Sequence, residues 1–340
     1  MSILIENESC GVTKTATSFS NPIRFPDIEL DLQIVEDLID STMQSHRSMI
    51  GPVLSNLEHY RGKRLRPLLV LLTAQATGGI FPFHHQLSAV IELIHTATLV
   101  HDDVLDEATL RRHHPSINKR YGNKISILLG DFLFTLAFHL SSKIGDVRIC
   151  EWIGEATNRV CLGETYQLLQ RGNFQLTEED YFKILDGKTA ALTECACRLS
   201  ACLSKANPQT IAAMSVFGRS IGIAFQIADD LLDFIGSEKT VGKTLGTDLD
   251  QLNFTLPIIL FLQRIPAFQR EEWIQRFSTE SVSRKELLYH FHRTSVLEDT
   301  KIRALEYIRE AQNALEAVVR NSSAYQSLYD LTEWIIQRNQ

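Results

Sequence analysis

Two short stretches decide how this sequence is interpreted: His101-Asp102-Asp103-Val104-Leu105-Asp106 and Gln226-Ile227-Ala228-Asp229-Asp230-Leu231-Leu232-Asp233. Each contains the pattern DDxxD and is embedded mostly in apolar residues. On a helix, residues four apart are neighbours, so Asp102 stands beside Asp106 and Asp229 beside Asp233. Like charges at this spacing destabilise a helix by about 0.2–0.5 kcal/mol unless something positive compensates them. The pattern therefore predicts two carboxylate clusters that bind Mg²⁺ together with substrate phosphates.

The sequence around both motifs has the periodicity of helices. Apolar residues recur every three or four positions, as at Leu65, Leu68, Leu69 and Leu72, and no alternating run with a hairpin turn is visible. No linker or fixed repeat divides the chain. We predict an all-α protein with a flexible N-terminal arm over residues 1–26 and one large helical bundle over residues 27–340.

Composition narrows the class of protein. The formal net charge of -7, from 34 basic and 41 acidic residues, argues against sequence-independent nucleic-acid binding. The six cysteines form no Cys-x-x-Cys pair, which argues against a zinc finger, and reduced thiols fit a cytoplasmic protein. No apolar run reaches about 18 residues, so we expect no transmembrane segment.

Basic residues form a second set of candidates. The stretch Arg61-Gly62-Lys63-Arg64-Leu65-Arg66-Pro67 places four cations before an apolar helix, and Arg111-Arg112 follow the first acidic motif. Arginine offers forked, bidentate contacts to phosphate. Gly-Lys-Thr occurs at 187–189 and 242–244, but neither copy is a P-loop because the required upstream glycine is absent. Alone, each group is more typical of a charged surface than of a site.

Five motifs in order carry a resemblance: GKRLRP, HDDVLDEATLRR, GKTA, FQIADDLLDF and GKTLGTDL. Between about Gly62 and Pro257 the chain resembles the trans-isoprenyl diphosphate synthases, or polyprenyl synthetases, and most closely the bacterial long-chain, octaprenyl-type enzymes. The resemblance implies an all-α bundle around a central cavity, usually as a homodimer. It implies elongation of an allylic diphosphate with isopentenyl diphosphate, with three Mg²⁺ ions when diphosphate is bound. It leaves room for contact with a membrane surface during product release.

The resemblance also implies roles for single residues. The catalytic set would comprise the motif aspartates and one lysine: Asp102, Asp103, Asp106, Asp229, Asp230, Asp233 and Lys188. Of these, the metal ligands would be Asp102, Asp106 and Asp229. The allylic diphosphate would be contacted by Arg111, Lys188, Thr189, Gln226 and Lys243. Isopentenyl diphosphate would be bound by Lys63, Arg66, His95 and Arg112.

One departure from the family pattern bears on the site. After GTDL the family usually has a Gly-Lys pair before TLP, whereas this chain has Leu252-Asn253, so one cation expected near the allylic diphosphate is missing. We expect that Asn253→Lys would tighten binding of the allylic substrate. A smaller departure is Arg61, where the family commonly has Gly.

Product length and assembly follow from small residues. In the family, bulky aromatics four and five residues before the first motif stop elongation early; here these positions hold Thr98 and Ala97. We therefore expect an open tunnel, with a floor near Phe138, and a long product of about C30–C50, since a 20-residue helix spans about 30 Å. Small residues from Ala190 to Ala201 suggest a helix–helix interface of a dimer.

Four other interpretations stay open at this point. A short-chain synthase would differ only in product. A catalytically idle subunit of a heteromeric synthase usually loses aspartates from one motif, and both motifs are intact here. A class I terpene cyclase needs only one DDxxD and no GKRLRP. A non-enzymatic helical scaffold is disfavoured by acidic pairs embedded in apolar helices.

Overall fold

The computed structural model describes residues 26–236, 245–279, 282–318 and 322–337. It is 82% helical, which confirms the all-α prediction. In these ranges the β structure is one hairpin of two-residue strands, β1 (Leu110–Arg111) and β2 (His114–Pro115). The predicted N-terminal arm lies outside the described residues, apart from Pro26.

The helices of the described ranges follow one another with short connections. Their bounds are α1 Glu29–Gln44, α2 Arg47–Leu54, α3 Leu65–Thr77, α4 Pro82–Leu105, α5 Ile117–Tyr121, α6 Asn123–Ser142, α7 Val147–Leu169, α8 Glu178–Leu185, α9 Ala191–Leu203, α10 Pro208–Ile235, α11 Thr247–Asp250, α12 Leu256–Arg264, α13 Ala267–Thr279, α14 Arg284–Arg293, α15 Val296–Ala314 and α16 Ser323–Gln337. Short 3₁₀ segments occupy Pro26–Ile28, Ser55–Tyr60 and Leu315–Ala317, and a π-helical segment occupies Asp186–Ala190.

Two long helices, α4 and α10, organise the bundle. Helix α10 packs against α9 and α15, and α4 packs against α1, α3 and α6. Both begin with proline at the first helical position, where its missing N–H costs nothing, and Asn207 caps α10 by accepting from the Thr210 amide. Both carry a DDxxD motif at the C-terminal end. The fold therefore places each acidic cluster at the negative end of a helix dipole.

The small residues of α9 form an interface within the chain. Ala196 and Ala201 are fully buried, and α9 packs against α3 and α10. Gly218 of α10 lies so close that a Cβ there would approach the Thr193 carbonyl oxygen to 2.4 Å. The expectation that the stretch from Ala190 to Ala201 supplies a dimer interface is therefore wrong, because the core of one chain already covers these side chains.

Helices α6 and α10 are long and apolar enough to cross a membrane, with mean hydropathies of 1.6 and 1.5. This differs from the expectation that no apolar run is long enough. For α10, packing in the core accounts for the apolar sequence. Helix α6 buries one face against α4 and leaves apolar side chains on the other, including Leu128 at 63% exposure. Phe138, the expected tunnel floor, is on this outer side at 36% exposure, while neighbouring Ala137 is buried.

Candidate active site

The first acidic motif lies at the C-terminal end of α4, and its middle carboxylate already has hydrogen-bond partners within the chain. Asp103 is buried at 1% exposure and accepts hydrogen bonds from the Tyr60 hydroxyl and from the Arg111 guanidinium, whose Nε lies 3.1 Å away. These contacts fix the Arg111 side chain beside the motif. Asp103 is therefore placed where it can position Arg111, and its expected catalytic role stays a prediction.

The outer carboxylates of the same motif meet cations from other elements. Lys188 Nζ lies 3.0 Å from Glu164 Oε2 and 2.8 Å from Gln167 Oε1, both on α7. Burial, Glu164 and Asp106 together raise the pKa of Asp102 to about 7, and Lys188 opposes the shift. The same acidic surroundings outweigh burial and raise the pKa of Lys188. The motif thus sits in an excess of negative charge that favours a further cation.

A close approach of two glycines brings Lys188 into this position. Gly163 on α7 faces Gly187 in the π-helical segment, and a Cβ on Gly163 would lie 2.5 Å from the backbone nitrogen of Lys188. A Cβ on Gly187 would lie 2.7 Å from the Arg159 carbonyl oxygen. Only glycine leaves room for this contact on both sides. The glycine of the Gly-Lys-Thr motif therefore lets the π-helical segment pack closely against α7, and this packing places the Lys188 cation.

The second motif connects to the same segment through side-chain hydrogen bonds. The Thr189 hydroxyl donates to Gln226 Oε1 at 3.1 Å, and Gln226 Nε2 donates to Asp230 Oδ1 at 2.8 Å. Asp230 is buried and also accepts from the Tyr181 hydroxyl at 2.6 Å. Burial, and then the charge of Asp248, raise the pKa of Asp230. Asp230 is therefore placed to orient Gln226, and its expected place in the catalytic set stays a prediction.

The remaining residues of the second motif differ in exposure. Asp229 is half-buried, whereas Asp233 is buried and accepts from the Gly246 amide at 3.0 Å. Asp233 therefore ties the segment after α10 back to the helix. Lys243, which the sequence places near the allylic diphosphate, lies outside the described residues.

The expected isopentenyl diphosphate residues converge around His95. Burial and the charges of nearby arginines hold the pKa of His95 well below its usual range, so the imidazole is neutral near pH 7. The arginines responsible are Arg66, Arg111, Arg64 and Arg112. Lys63 lies over the Trp334 ring of α16, with Nζ 5.1 Å from the ring centroid. The structure thus brings Arg66 and Arg112 close to His95, and their shared role in binding isopentenyl diphosphate stays a prediction.

Arg66 and Arg112 have features that suit an anionic ligand. The Nε of Arg66 is buried, and no described acceptor takes its proton. Burial lowers the pKa of Arg66, with Glu92 opposing the shift. Arg112 lies against Gly62, where a Cβ would come within 2.6 Å of its guanidinium, and it donates to the Arg61 carbonyl oxygen. An uncompensated buried donor beside clustered arginines fits phosphate oxygens.

Arg64 holds the basic loop in place, a role that the sequence did not reveal. Its backbone is left-handed, with φ of 54°, just before α3 begins. Its side chain is 5% exposed and pairs with Glu36 of α1, at 2.8 Å from Nη2, and with Glu92 of α4. The two acids raise the pKa of Arg64 although burial opposes this. Arg64 therefore anchors the loop between Lys63 and Arg66, the two neighbours expected to bind substrate.

The donor set fits Mg²⁺ that binds together with a phosphate ligand. Among the described residues, no group of three or more His, Cys, Asp or Glu side chains could hold a metal ion by itself. The candidates from the two motifs, Asp102, Asp106 and Asp229, are hard oxygen donors. Mg²⁺ typically takes one or two carboxylates and completes its coordination with water and substrate phosphates.

The sequence missed several polar residues around the motifs. They are Tyr60, Glu164, Gln167, Arg171 and Tyr181. Glu164 and Gln167 share one face of α7 by their three-residue spacing, which was a detectable signal. The tyrosines and Arg171 come from distant elements, and no spacing in the sequence points to their partners.

The chain-length candidates are placed differently from each other. Ala97 is fully enclosed at 0% exposure, so it does not line open space in this structure, which corrects the tunnel expectation for this residue. Thr98 is half-buried, and its hydroxyl donates to the His95 carbonyl oxygen at 2.8 Å. A cavity of about 30 Å³ lies beside α4 and is lined in part by Thr96, Leu93 and Leu133. It has room for about one water molecule.

Comparison with known proteins now adds to this geometry. Residues 47–291, well over half of the chain, match the family model described as polyprenyl synthetase. The chain belongs to the polyprenyl synthetase family. An octaprenyl diphosphate synthase of Escherichia coli is 40% identical over 198 residues, which cover 58% of this chain and 61% of that protein. The chain therefore matches less than two thirds of that relative's length.

Other members of the polyprenyl synthetase family match over most of the chain. A short chain isoprenyl diphosphate synthase of Methanothermobacter thermautotrophicus is 33% identical, covering 90% of this chain and 97% of that protein. The crystal structure of a decaprenyl diphosphate synthase from Rhodobacter capsulatus has a TM-score of 0.86 and 33% identity, covering 92% of this chain and 98% of that one. A polyprenyl synthase from Caulobacter crescentus CB15, complexed with calcium and isoprenyl diphosphate, has a TM-score of 0.86 and 31% identity, covering 92% and 96%.

The buried role of Arg64 leads to a stability prediction. Arg64→Met should lower the free energy of unfolding by about 3–5 kcal/mol, because Glu36 and Glu92 would lose their shared buried partner. Urea unfolding followed by circular dichroism measures the change. The control is Arg148→Met, which breaks the pair with Asp146 where the arginine side chain is 51% exposed. That change should cost less than about 1 kcal/mol, and equal losses in the two variants would contradict the anchoring role.

Proposed function

We propose that this protein is a Mg²⁺-dependent trans-prenyltransferase that extends an allylic diphosphate with isopentenyl diphosphate and releases diphosphate. One observation carries the proposal: two sites of opposite charge adjoin the end of α4. The acidic side contains Asp102 and Asp106, with Lys188 near both of them. The basic side contains Arg66 and Arg112 around a neutral His95. A reaction between two diphosphates needs one site of each kind.

The allylic diphosphate is assigned to the acidic side. Lys188 and the Thr189–Gln226 pair would contact its oxygens, and Asp102, Asp106 and Asp229 would hold Mg²⁺. When bound, the metal supplies charge stabilisation for the leaving diphosphate. In the family's reaction an allylic carbocation follows, and it survives only where water is excluded. The buried apolar residues around the end of α4, such as Val100, provide such surroundings.

Isopentenyl diphosphate is assigned to the basic side. Arg66, Arg112 and Lys63 would bind its diphosphate, and Arg64 would keep their loop in position. Holding both substrates fixed converts a bimolecular encounter into an intramolecular step. After the new carbon–carbon bond forms, a proton must leave, and the released diphosphate is a base within reach.

We propose a long-chain product of about C30–C50, since no bulky side chain precedes the first motif at Thr98. The octaprenyl relative supports this length, whereas the short-chain relative supports the alternative of a farnesyl or geranylgeranyl product. Because Ala97 is enclosed, a long chain would need side chains beside α4 to move apart. Thr98, which is partly exposed, is the better candidate for a control point.

A homodimer in the cytoplasm is the proposed state. The described cysteines are all free thiols, which fits a reducing compartment: Cys150, Cys161, Cys195, Cys197 and Cys202. The outer face of α6, with Ile125, Leu128 and Phe138 exposed, suits a second copy of the chain. A product of this length is apolar, so contact with a membrane surface at release is part of the proposal.

The metal requirement can be tested at both motifs. Asp102→Ala and Asp229→Ala should each lower turnover by about two orders of magnitude or more, because charge stabilisation of the leaving group contributes several kcal/mol. Helicity measured by circular dichroism should stay unchanged. Excess EDTA should abolish activity, and added Mg²⁺ should restore it. Asp37→Ala on the exposed face of α1 is the matched control. Full activity in EDTA would overturn the proposal.

Product length can be tested at Thr98. Thr98→Phe should shorten the main product to farnesyl or geranylgeranyl diphosphate, because an aromatic ring would fill the path of the growing chain. Reverse-phase chromatography of dephosphorylated products measures the length. Thr98→Val, which keeps the side-chain volume, should leave the product unchanged. A long product from Thr98→Phe, or a short one from the wild type, would contradict the proposal. Ala97→Phe is a poorer test because overpacking a filled core costs about 1–3 kcal/mol.

Assembly can be tested on the outer face of α6. Light scattering at micromolar concentration should give about twice the chain mass of 38.5 kDa. Leu128→Asp should shift the mass to that of a monomer, because it buries a charge at the interface. Val216→Asp, at an aliphatic side chain exposed elsewhere, should not. A wild-type monomer that becomes active only with a second, different chain would favour the heteromeric alternative.

A further inference from the structure

Arg171, from the segment after α7, brings a positive charge beside Asn253, where the sequence lacks the family lysine. Arg171 follows α7, and its Nη2 lies 2.7 Å from Asp106 Oδ1 at the end of the first acidic motif. Its Nε donates to Asn253 Oδ1 at 3.2 Å, and its Nη2 also reaches Gln251 Oε1 at 3.3 Å. Asn253 is the residue that replaces the family lysine. The asparagine at the sequence position of the family lysine thus holds a guanidinium.

The surrounding contacts form a built support for Arg171. Asn253 is 7% exposed, and its amide donates to Gln251 Oε1 at 3.1 Å. Gln251 Nε2 donates to the Asp106 carbonyl oxygen at 3.2 Å. The Gly172 amide donates to the Leu252 carbonyl oxygen at 3.0 Å. The segment 251–253 is therefore fastened both to the first acidic motif and to the loop that carries Arg171.

The Arg171 guanidinium has N–H donors that its contacts with Asp106, Gln251 and Asn253 do not use. A guanidinium has five N–H donors, and the contacts above use those of Nε and Nη2. In the part of the chain that the structure describes, no acceptor takes the protons of Nη1. The side chain is 30% exposed beside Asp106, one of the expected metal ligands. A phosphate bound next to Asp106 would lie within reach of this nitrogen, and arginine suits phosphate oxygens through bidentate contact.

We propose that Arg171 is a substrate-binding residue that contacts the allylic diphosphate, and that Asn253 is its positioning partner. The inference rests on the proposed function, because it assigns the allylic diphosphate to the acidic side. Leu252-Asn253 is then no loss of the family's cation. The positive charge has moved to residue 171, and the asparagine carries the hydrogen-bond acceptor that orients it.

The arrangement changes what a restored lysine would do. In the wild type, Asn253→Lys would place an ammonium near the Arg171 guanidinium, where like charges repel, and would remove the acceptor of the Arg171 Nε proton. Tighter substrate binding is therefore not expected from this substitution alone. With Arg171 replaced by Gln, the same lysine has no competing charge and should restore binding. If Asn253→Lys has opposite effects on binding in the wild type and in Arg171→Gln, the lysine and the arginine act at the same position in the site.

The experiment is a double-mutant cycle on the full-length enzyme. Isothermal titration with inorganic diphosphate in Mg²⁺ gives the dissociation constant for Arg171→Gln, Asn253→Lys and the double variant, and steady-state assays give KM for farnesyl diphosphate. Arg171→Gln should weaken both by roughly tenfold to a hundredfold, as expected for a lost charge-assisted contact. The double variant should recover most of the loss. Arg171→Lys, which keeps the charge without the fork, should be intermediate.

The control is Arg303→Gln, which breaks a comparable arginine pair with Glu178 at 2.5 Å, where the arginine is 39% exposed. It should leave diphosphate binding unchanged. An unaltered dissociation constant in Arg171→Gln, or a double variant no better than the single one, would overturn the inference. If the wild type turns over no prenyl substrate but Arg171→Gln still weakens diphosphate binding, the proposed function fails, whereas the contact between Arg171 and a bound diphosphate is supported.

Discussion

The structure is governed by negative charge placed at the negative ends of two helices. Helices α4 and α10 each end in a DDxxD motif, where the helix dipole already disfavours carboxylates. The chain meets this cost with groups drawn from all around the bundle. Arg111 neutralises Asp103, and Tyr60 donates a hydrogen bond to it. Tyr181 and Gln226 donate hydrogen bonds to Asp230. The negative charge that these contacts do not compensate lies on the outer aspartates, and a bound cation would stabilise the site most at these carboxylates.

The different contacts of the aspartates within each motif could not be derived from the sequence. Helical spacing places Asp102 beside Asp106 and predicts their shared face, and it did so correctly. Spacing gives no information on residues that arrive from other helices, such as Tyr60. The middle aspartates therefore look equivalent to Asp102, Asp106 and Asp229 in the sequence, although the fold buries them more deeply. The all-α class and the grouping of Arg66, His95 and Arg112 followed from periodicity and motif order.

The errors of prediction have a common physical origin. Small residues permit close packing, but they do not say with what. The alanines of α9 pack against α3 and α10 within one chain, and Ala97 is enclosed by its neighbours. At Asn253, likewise, the motif lacks a lysine, but the structure brings the Arg171 guanidinium beside it. A motif comparison overlooks this arginine because it examines positions and not the distances between side chains.

The three tryptophans of the chain each lie against a cation. Trp152 stacks with Arg198 at 3.7 Å, Trp273 with Arg276 at 4.8 Å, and Trp334 with Lys63 at 5.1 Å. Of these cations, only Lys63 is a candidate ligand for substrate. An anion that draws Lys63 away changes the electric field at one indole and leaves the other two untouched. On the proposed role of Lys63, the fluorescence of Trp334 would report occupancy of the basic loop without an attached dye.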